Sequence, residues 1–394
     1  MKVLFAMDSM KGSLSSIECG NAAAQGLLKA IPDAEYVVRP MADGGEGTVT
    51  AITTGCNGRY IKTDVTGPLE TPIHVCYGIA ETYGKSETKT AIIEMSSAAG
   101  LPLVPITQRD PMNTTTYGLG QMIKHAISEG CMNFVIGLGG SSTNDCGIGM
   151  LQALGYTFFD KTGKEIKGLN GHLLGKDLEF IDSIKSDHVD PVINNCTFHI
   201  ACDVKNPLYG PNGASHTFAA QKGAFQTDIE LMEGWIQHFA EVASRFTGKT
   251  FDPEAQGYGA AGGLGFCFNF FLNGKLEAGI SIVTEATNLR KYISEADIIV
   301  TGEGCMDSQT NMGKTPSGVA HIAKVFNKPV IAITGIVSDA ASGIVFDDID
   351  AYFPTIRNFR SKEETLSPVI AKMNITATSE QIFRLLALKD QLNI

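Results

Sequence analysis

The chain has 394 residues, 43% of them apolar, with 43 Gly, one Trp and a formal net charge of −11. That length and apolar share suit two packed α/β cores and exclude a disordered or fibrous chain. The acidic balance argues against nucleic acid or an anionic membrane as partner, since each needs an excess of Lys and Arg on one face and no basic run offsets the charge.

The N-terminus, MKVLFAMDSMKGS, has an apolar run too short for a signal peptide, and no segment is long enough to span a bilayer, so a cytoplasmic protein is expected. Lys2 onward reads as strand, polar loop, then a helix entered through Ser13 or Ser15, and AEYVVRPMADGGEGTVTAI repeats that grammar. Residues 60–80 read as paired strands with Gly-Pro and Thr-Pro turns. A helical stretch around TTYGLGQMIKHAISEG, the strand NFVIGLGG, a helix after Asn144 and a poorly periodic stretch from Asp160 to Asn195 follow. Next come the strand FHIACDV, the helix DIELMEGWIQHFAEVASRF and the Gly-rich run GYGAAGGLGF. The strand-helix grammar of the start returns in ADIIVTGEG, KPVIAITGIV and DIDAYFPTI. The expected fold is therefore α/β: a discontinuous three-layer, parallel-sheet, Rossmann-like domain from 1–60 and 290–394, with an inserted second α/β domain at 61–289. A homo-oligomer is compatible with the sequence.

Nine Cys carry no CxxC pair, and the eight His show no zinc spacing and no pairing with Ser or Cys, which leaves a disulfide frame, a zinc site and a hydrolase triad without support.

The stretch TGEGCMDSQTNMGKTPSGVAHIAK holds Gly313-Lys314-Thr315, the end of a Walker A pattern. Its first Gly is missing, because Ser308 occupies that position. A strand ending at Val300, a long polar loop and a helix capped by Ser317 still make a place where backbone N–H groups converge on an anion. Similar Gly-rich loops lie at Asp8 to Ser13, Asp43 to Thr48, Gly137 to Gly149 and Ala201 to Gly213. The carboxylates Asp8, Asp43, Glu46, Asp145, Asp203, Glu303 and Asp307 fall at or after strand ends. Single Asp residues there are commonly N-caps, yet so many acids among Lys11, Lys205, Lys222 and Lys314 suit phosphoryl transfer, which needs hard oxygen ligands for Mg²⁺ and cations on the migrating group.

Taken together, DSMKGSLSS, MADGGEGT, GLGGSSTNDCGIGM, ACDVKNPLYGPNGA, AAQKGA, GAAGGLG and TGEGCMDSQTNMGKTPSGVA resemble, in identity and order, the signature segments of bacterial glycerate kinases of the glycerate 2-kinase type. The resemblance spans Asp8 to Ala320; Met10, Cys146 and GYGAAGG depart from the usual pattern without removing a charge. It implies an ATP-dependent, Mg²⁺-using kinase that makes 2-phosphoglycerate from D-glycerate, with two α/β domains.

The motifs do not separate the roles, so these come from the residues. Lys11 is expected to stabilise the transferred phosphoryl group, Asp8 or Asp203 to orient the glycerate hydroxyl, and Glu303 with Asp307 to hold Mg²⁺. Substrate and phosphate contacts are expected from Ser9, Ser13, Gly44, Gly45, Gly139 and Gly140. Ser141, Asn144, Lys205, Asn206, Thr310 and Lys314 complete that set. The alternatives are a two-lobed small-anion receptor, which has no use for several carboxylates beside its ligand, and a sugar-acid dehydrogenase or isomerase, which lacks a full GxGxxG here.

Overall fold

Val3 to Met7 are all at most 1% exposed, as a central parallel strand covered on both faces requires. In the computed structural model, which describes residues 1–81, 83, 88–308, 310–312, 314–338 and 346–392, this strand lies at the heart of a mixed α/β fold. The chain divides into two compact units. Met1–Asp43, Thr50–Asn57 and Ile280–Ile394 make the first; Gly44–Val49 and Gly58–Gly279 make the second.

The first unit holds five parallel strands: Lys2–Met7, Glu35–Val38, Ile298–Gly302, Val330–Thr334 and Ala351–Pro354. Numbered in chain order, they lie side by side as second, first, third, fourth, fifth. The winding direction reverses between the first and third strands, and in an open α/β sheet the crevice beyond the carboxyl ends at such a reversal is where ligands bind. Asp8 follows the first strand and Glu303 the third, and the Asp8 N–H donates to the Gly302 carbonyl at 2.8 Å.

Helix Ser16–Ala30 begins with a capping box, in which Ser15 and Glu18 satisfy one another's backbone N–H groups; Ser15 is thus the cap and Ser13 is left over for another task. Its small face, including Ala22, Ala23 and Gly26, lies against helix Pro368–Leu392. A Cβ on Gly26 would come within 2.4 Å of the Thr376 carbonyl oxygen, so only Gly permits this approach. Thr376 Oγ1 and Ser379 Oγ donate to the Ala22 and Ala23 carbonyls at 2.9 and 2.7 Å and fix the long helix in place.

The second unit has a six-stranded sheet in the order Lys275–Glu277, Thr197–Ala201, Asn133–Gly137, Thr90–Glu94, Pro72–Ala80, Arg59–Thr66. The first four of these run parallel, while the hairpin strands at 59–66 and 72–80 pair antiparallel, with Thr63 opposite Val75. The poorly periodic stretch after Asp160 contributes to a small antiparallel sheet of Thr157–Phe159, Glu165–Ile166 and Ser183–Lys185. Among the described residues no helix is long and apolar enough to cross a membrane. All nine Cys are free thiols.

Candidate active site

At the reversal point of the first unit lies a cavity of about 370 Å³, within the range of ligand pockets. The loop after the first strand supplies Asp8, Ser9, Lys11 and Ser13 to its wall, and Asp43 joins them. The loop after the third strand adds Glu303, Asp307 and Lys314.

Asp8 is the most constrained of these groups. It is 6% exposed; its Oδ1 accepts the Ser9 N–H at 2.6 Å and its Oδ2 accepts Thr315 Oγ1 at 2.8 Å. Burial, reinforced by the negative charge of Asp43, pushes its carboxyl up to about 7, against the pull of those hydrogen bonds and of Lys11. Lys11 Nζ stands 3.7 Å from Asp43 Oδ2. Glu303 is 9% exposed and accepts Thr310 Oγ1 at 2.7 Å; burial raises its carboxyl, and Thr310 and Lys314 counteract that. Lys314 Nζ reaches Asp307 Oδ1 at 3.3 Å. The Ser9 and Ser13 hydroxyl oxygens are buried in this wall without a hydrogen-bond partner among the described residues. An unpaired buried hydroxyl is costly, and an anionic ligand in the cavity would satisfy both.

The helix after this loop runs Thr315–Val325, three residues earlier than a Ser317 cap requires. Pro316 explains the difference, because its fixed φ belongs in a helix's first turn. Ser317 Oγ instead ties the loop together by donating to the Thr310 and Lys314 carbonyls. Gly313 lies outside the described residues.

In the second unit, glycine turns meet at the carboxyl ends of the strands Asn133–Gly137 and Thr197–Ala201. A Cβ on Gly139 would lie 2.8 Å from Gly45 Cα, and one on Gly44, whose φ is +89°, would lie 2.8 Å from Ala201 Cβ. Glu94 fastens this cluster by accepting the Gly47 and Val49 N–H groups at 3.0 and 2.8 Å. Gly140, Asp203 and Lys205 are exposed beside it, and Asp203 Oδ1 accepts the Gly279 N–H at 2.8 Å. Asn206 Nδ2 braces its own loop through the Asn212 carbonyl and Thr217. Ser141 is buried, in a backbone bridge with Gly100. Asn144 is 0% exposed, and its Nδ2 donates to Ser215 Oγ and Met232 Sδ.

Two charged residues grouped with the phosphate chemistry in the sequence have internal work instead. Asp145 accepts from Thr116 N–H and Oγ1 and from the Gly147 and Gly149 N–H groups, so its lone pairs are already occupied. Lys222, 2% exposed, donates to the Thr143 carbonyl at 2.7 Å.

The sequence profile of the Glycerate kinase family matches residues 3–387. The chain is 43% identical to "Glycerate kinase" of Haemophilus influenzae over 99% of its own length and all of that protein. It is 41% identical to "Glycerate 2-kinase" of Escherichia coli K12 over 96% of this chain and 98% of the other. A crystal structure described as glycerate kinase 2 from Salmonella typhimurium LT2 superposes with a TM-score of 0.87 at 40% identity, covering 99% of both chains. The chain belongs to the glycerate kinase family. As a member it is an enzyme, a kinase acting on glycerate.

For a kinase of this family the first-unit cavity is chemically apt, because phosphoryl transfer asks a protein chiefly for position and charge. Asp43, Thr315 and Asn374 belong to or support this cavity and had no assigned place in the site. Asp43 carried a signal, an acid in a Gly-rich loop after a strand, and Thr315 closed the Gly-Lys-Thr triplet. Asn374 sits inside an unremarkable helical stretch and carried none.

Proposed function

We propose that this kinase transfers the γ-phosphoryl group of ATP to the 2-hydroxyl of D-glycerate, giving 2-phosphoglycerate, with Mg²⁺ as its metal. The supporting observation is that Asp8, Asp43, Glu303 and Asp307 line one cavity together with Lys11 and Lys314 at the sheet's reversal point.

Lys11 and Lys314 supply the positive charge that a migrating phosphoryl group needs, and the unpartnered hydroxyls of Ser9 and Ser13 are donors for phosphate oxygens. Asp8, poised at about 7, is matched to accepting a proton from a sugar-acid hydroxyl near neutral pH. Asp203, exposed at the end of a second-unit strand, is the other candidate for that task. Glu303 and Asp307 are the proposed Mg²⁺ ligands. Among the described residues no three His, Cys, Asp or Glu side chains form a ready-made metal cage, and a cation that keeps its waters and takes substrate phosphate oxygens needs only one or two carboxylates. When bound, Mg²⁺ would neutralise charge on the phosphate oxygens.

A coupled assay of ADP release tests the reading: release should require both D-glycerate and Mg²⁺, and phosphorus NMR should show 2-phosphoglycerate. ADP release indifferent to D-glycerate would overturn it, and a 3-phosphoglycerate product would overturn its regiochemistry.

A further inference from the structure

We infer that the end of the first-unit cavity remote from Asp8 is an adenine seat, with Asn374 reading the base edge and Ile336, Ile356 and Leu366 covering its faces. The inference rests on the proposed use of ATP and adds where the base lies and which residues select it.

The cavity changes character along the sheet. Beyond the first and third strands it is lined by acids, lysines and serines; beyond the fourth and fifth it is lined by Ile336 and Ile356. Three inter-strand steps separate the first strand from the fifth, about 14 Å at the usual strand spacing. An occupant that uses both ends must be elongated, anionic at one end and flat or apolar at the other. A three-carbon acid is too short and has no apolar body, whereas a nucleoside triphosphate has this shape and polarity.

The apolar end keeps accessible apolar surface inside the cavity. Ile336 and Ile356 leave 44% and 43% of their surface exposed, although they line a cavity rather than an outer face. Asn374 is 8% exposed and lines the same cavity, and no described residue hydrogen-bonds its side-chain amide. An amide on the cavity wall with no bonded partner among the described residues is available to a ligand that completes it. The amide presents one donor beside one acceptor, which complements the paired acceptor and amino group of adenine; the acceptor pair on guanine favours Arg or Lys instead. The amide is held in position, because Thr376 and Ser379, on the next turn of the same helix, are bonded to helix Ser16–Ala30.

Calorimetric titration with ADP, which needs no turnover, tests the seat. Wild-type protein should bind ADP more tightly than GDP or CDP. Asn374→Leu should weaken ADP about tenfold or more, the scale of one lost bidentate base contact. Ile356→Glu, at a half-exposed position where folding is not at stake, should weaken ADP similarly. Inorganic tripolyphosphate should compete equally well against both variants and wild type, because it engages only the charged end, and the KM for D-glycerate should not move. Unchanged ADP affinity in both variants would overturn the adenine seat, as would a rise in the glycerate KM with ADP affinity intact, which would put the acid there. Loss of glycerate-dependent turnover in wild-type protein that still binds ADP through Asn374 would instead count against the phosphorylation reading alone.

Discussion

Thr315 Oγ1 donates a 2.8 Å hydrogen bond to Asp8 Oδ2, tying the first turn of helix Thr315–Val325 to the loop after the first strand. The hydrogen bond favours the ionised carboxyl, while burial and Asp43 oppose it. If the carboxylate of Asp8 is the base, kcat/KM rises with pH through about 7, where the free enzyme loses this proton. Removing the Thr315 hydroxyl withdraws support from the charged form, so Thr315→Val moves that acid limb to higher pH and Thr315→Ser restores it. Asp8→Asn removes the limb and lowers kcat by roughly 10²–10⁴, the usual contribution of a positioned base. The pH profile of kcat/KM for these variants checks both; a limb that survives in Asp8→Asn and vanishes in Asp203→Asn would transfer the role to Asp203.

Lys11 stands on the wall of the cavity, 3.7 Å from Asp43. Its side chain is 60% exposed, so it contributes little to packing and its replacement should leave the fold intact. Lys11→Ala is expected to lower kcat about a hundredfold or more, the scale of one lost electrostatic stabiliser, with an unchanged melting temperature. Steady-state kinetics at saturating substrates read this directly, and near-normal kcat would remove Lys11 from the transfer step.

Asp307 is bonded to Lys314 and shares the cavity with Glu303. As a metal ligand it would be felt in the Mg²⁺ dependence before anything else. Asp307→Asn should raise the Mg²⁺ concentration for half-maximal rate by more than it weakens ATP binding measured without metal. The same Mg²⁺ midpoint in Asp307→Asn and Glu303→Gln would make both residues braces of their loop.

The parallel sheets were legible because buried strands such as Lys2–Met7 and Ile298–Gly302 are continuous apolar runs ending in polar Gly-rich loops, and such punctuation survives without any knowledge of partners. For the same reason Asp8, Ser9, Lys11, Glu303 and Lys314 could be named from their places at strand ends, and the structure sets them around one cavity. What local pattern does not contain is the set of contacts made across long stretches of chain. Asn374 lines the cavity from a helix whose close approach Gly26 permits, and Gly26 and Thr376, the pair that meets there, stand 350 positions apart in the chain. Glu94 ends a strand as many glutamates do, and its task appears only when the Gly47 turn lies above it. Lys222 and Asp145 mislead in the opposite direction, since charge in a Gly-rich neighbourhood looks chemical until burial and bonded partners are known.

Lys222 is the most deeply buried cation described, and burial pulls its ammonium down to about 7 from an ordinary 10.5, with Asp145 opposing the shift. Between pH 7 and 10.5 the unfolded chain therefore holds a proton that the native chain has released. The number of protons bound by the unfolded state exceeds that of the native state, so unfolding free energy increases with pH across this window. The cost of the buried group is fully present below about 7 and fades as pH approaches the unfolded value; it is on the order of a few kcal/mol. Lys222→Met deletes the titration but also the bond to the Thr143 carbonyl, worth about 1 kcal/mol. The variant should thus match or exceed wild type in stability near pH 7 and fall behind it near pH 10. Urea unfolding of both proteins at several pH values reads the difference, in which the titrating thiols and other lysines cancel. A stability difference that does not vary with pH would show that Lys222 is not titrating in the folded protein.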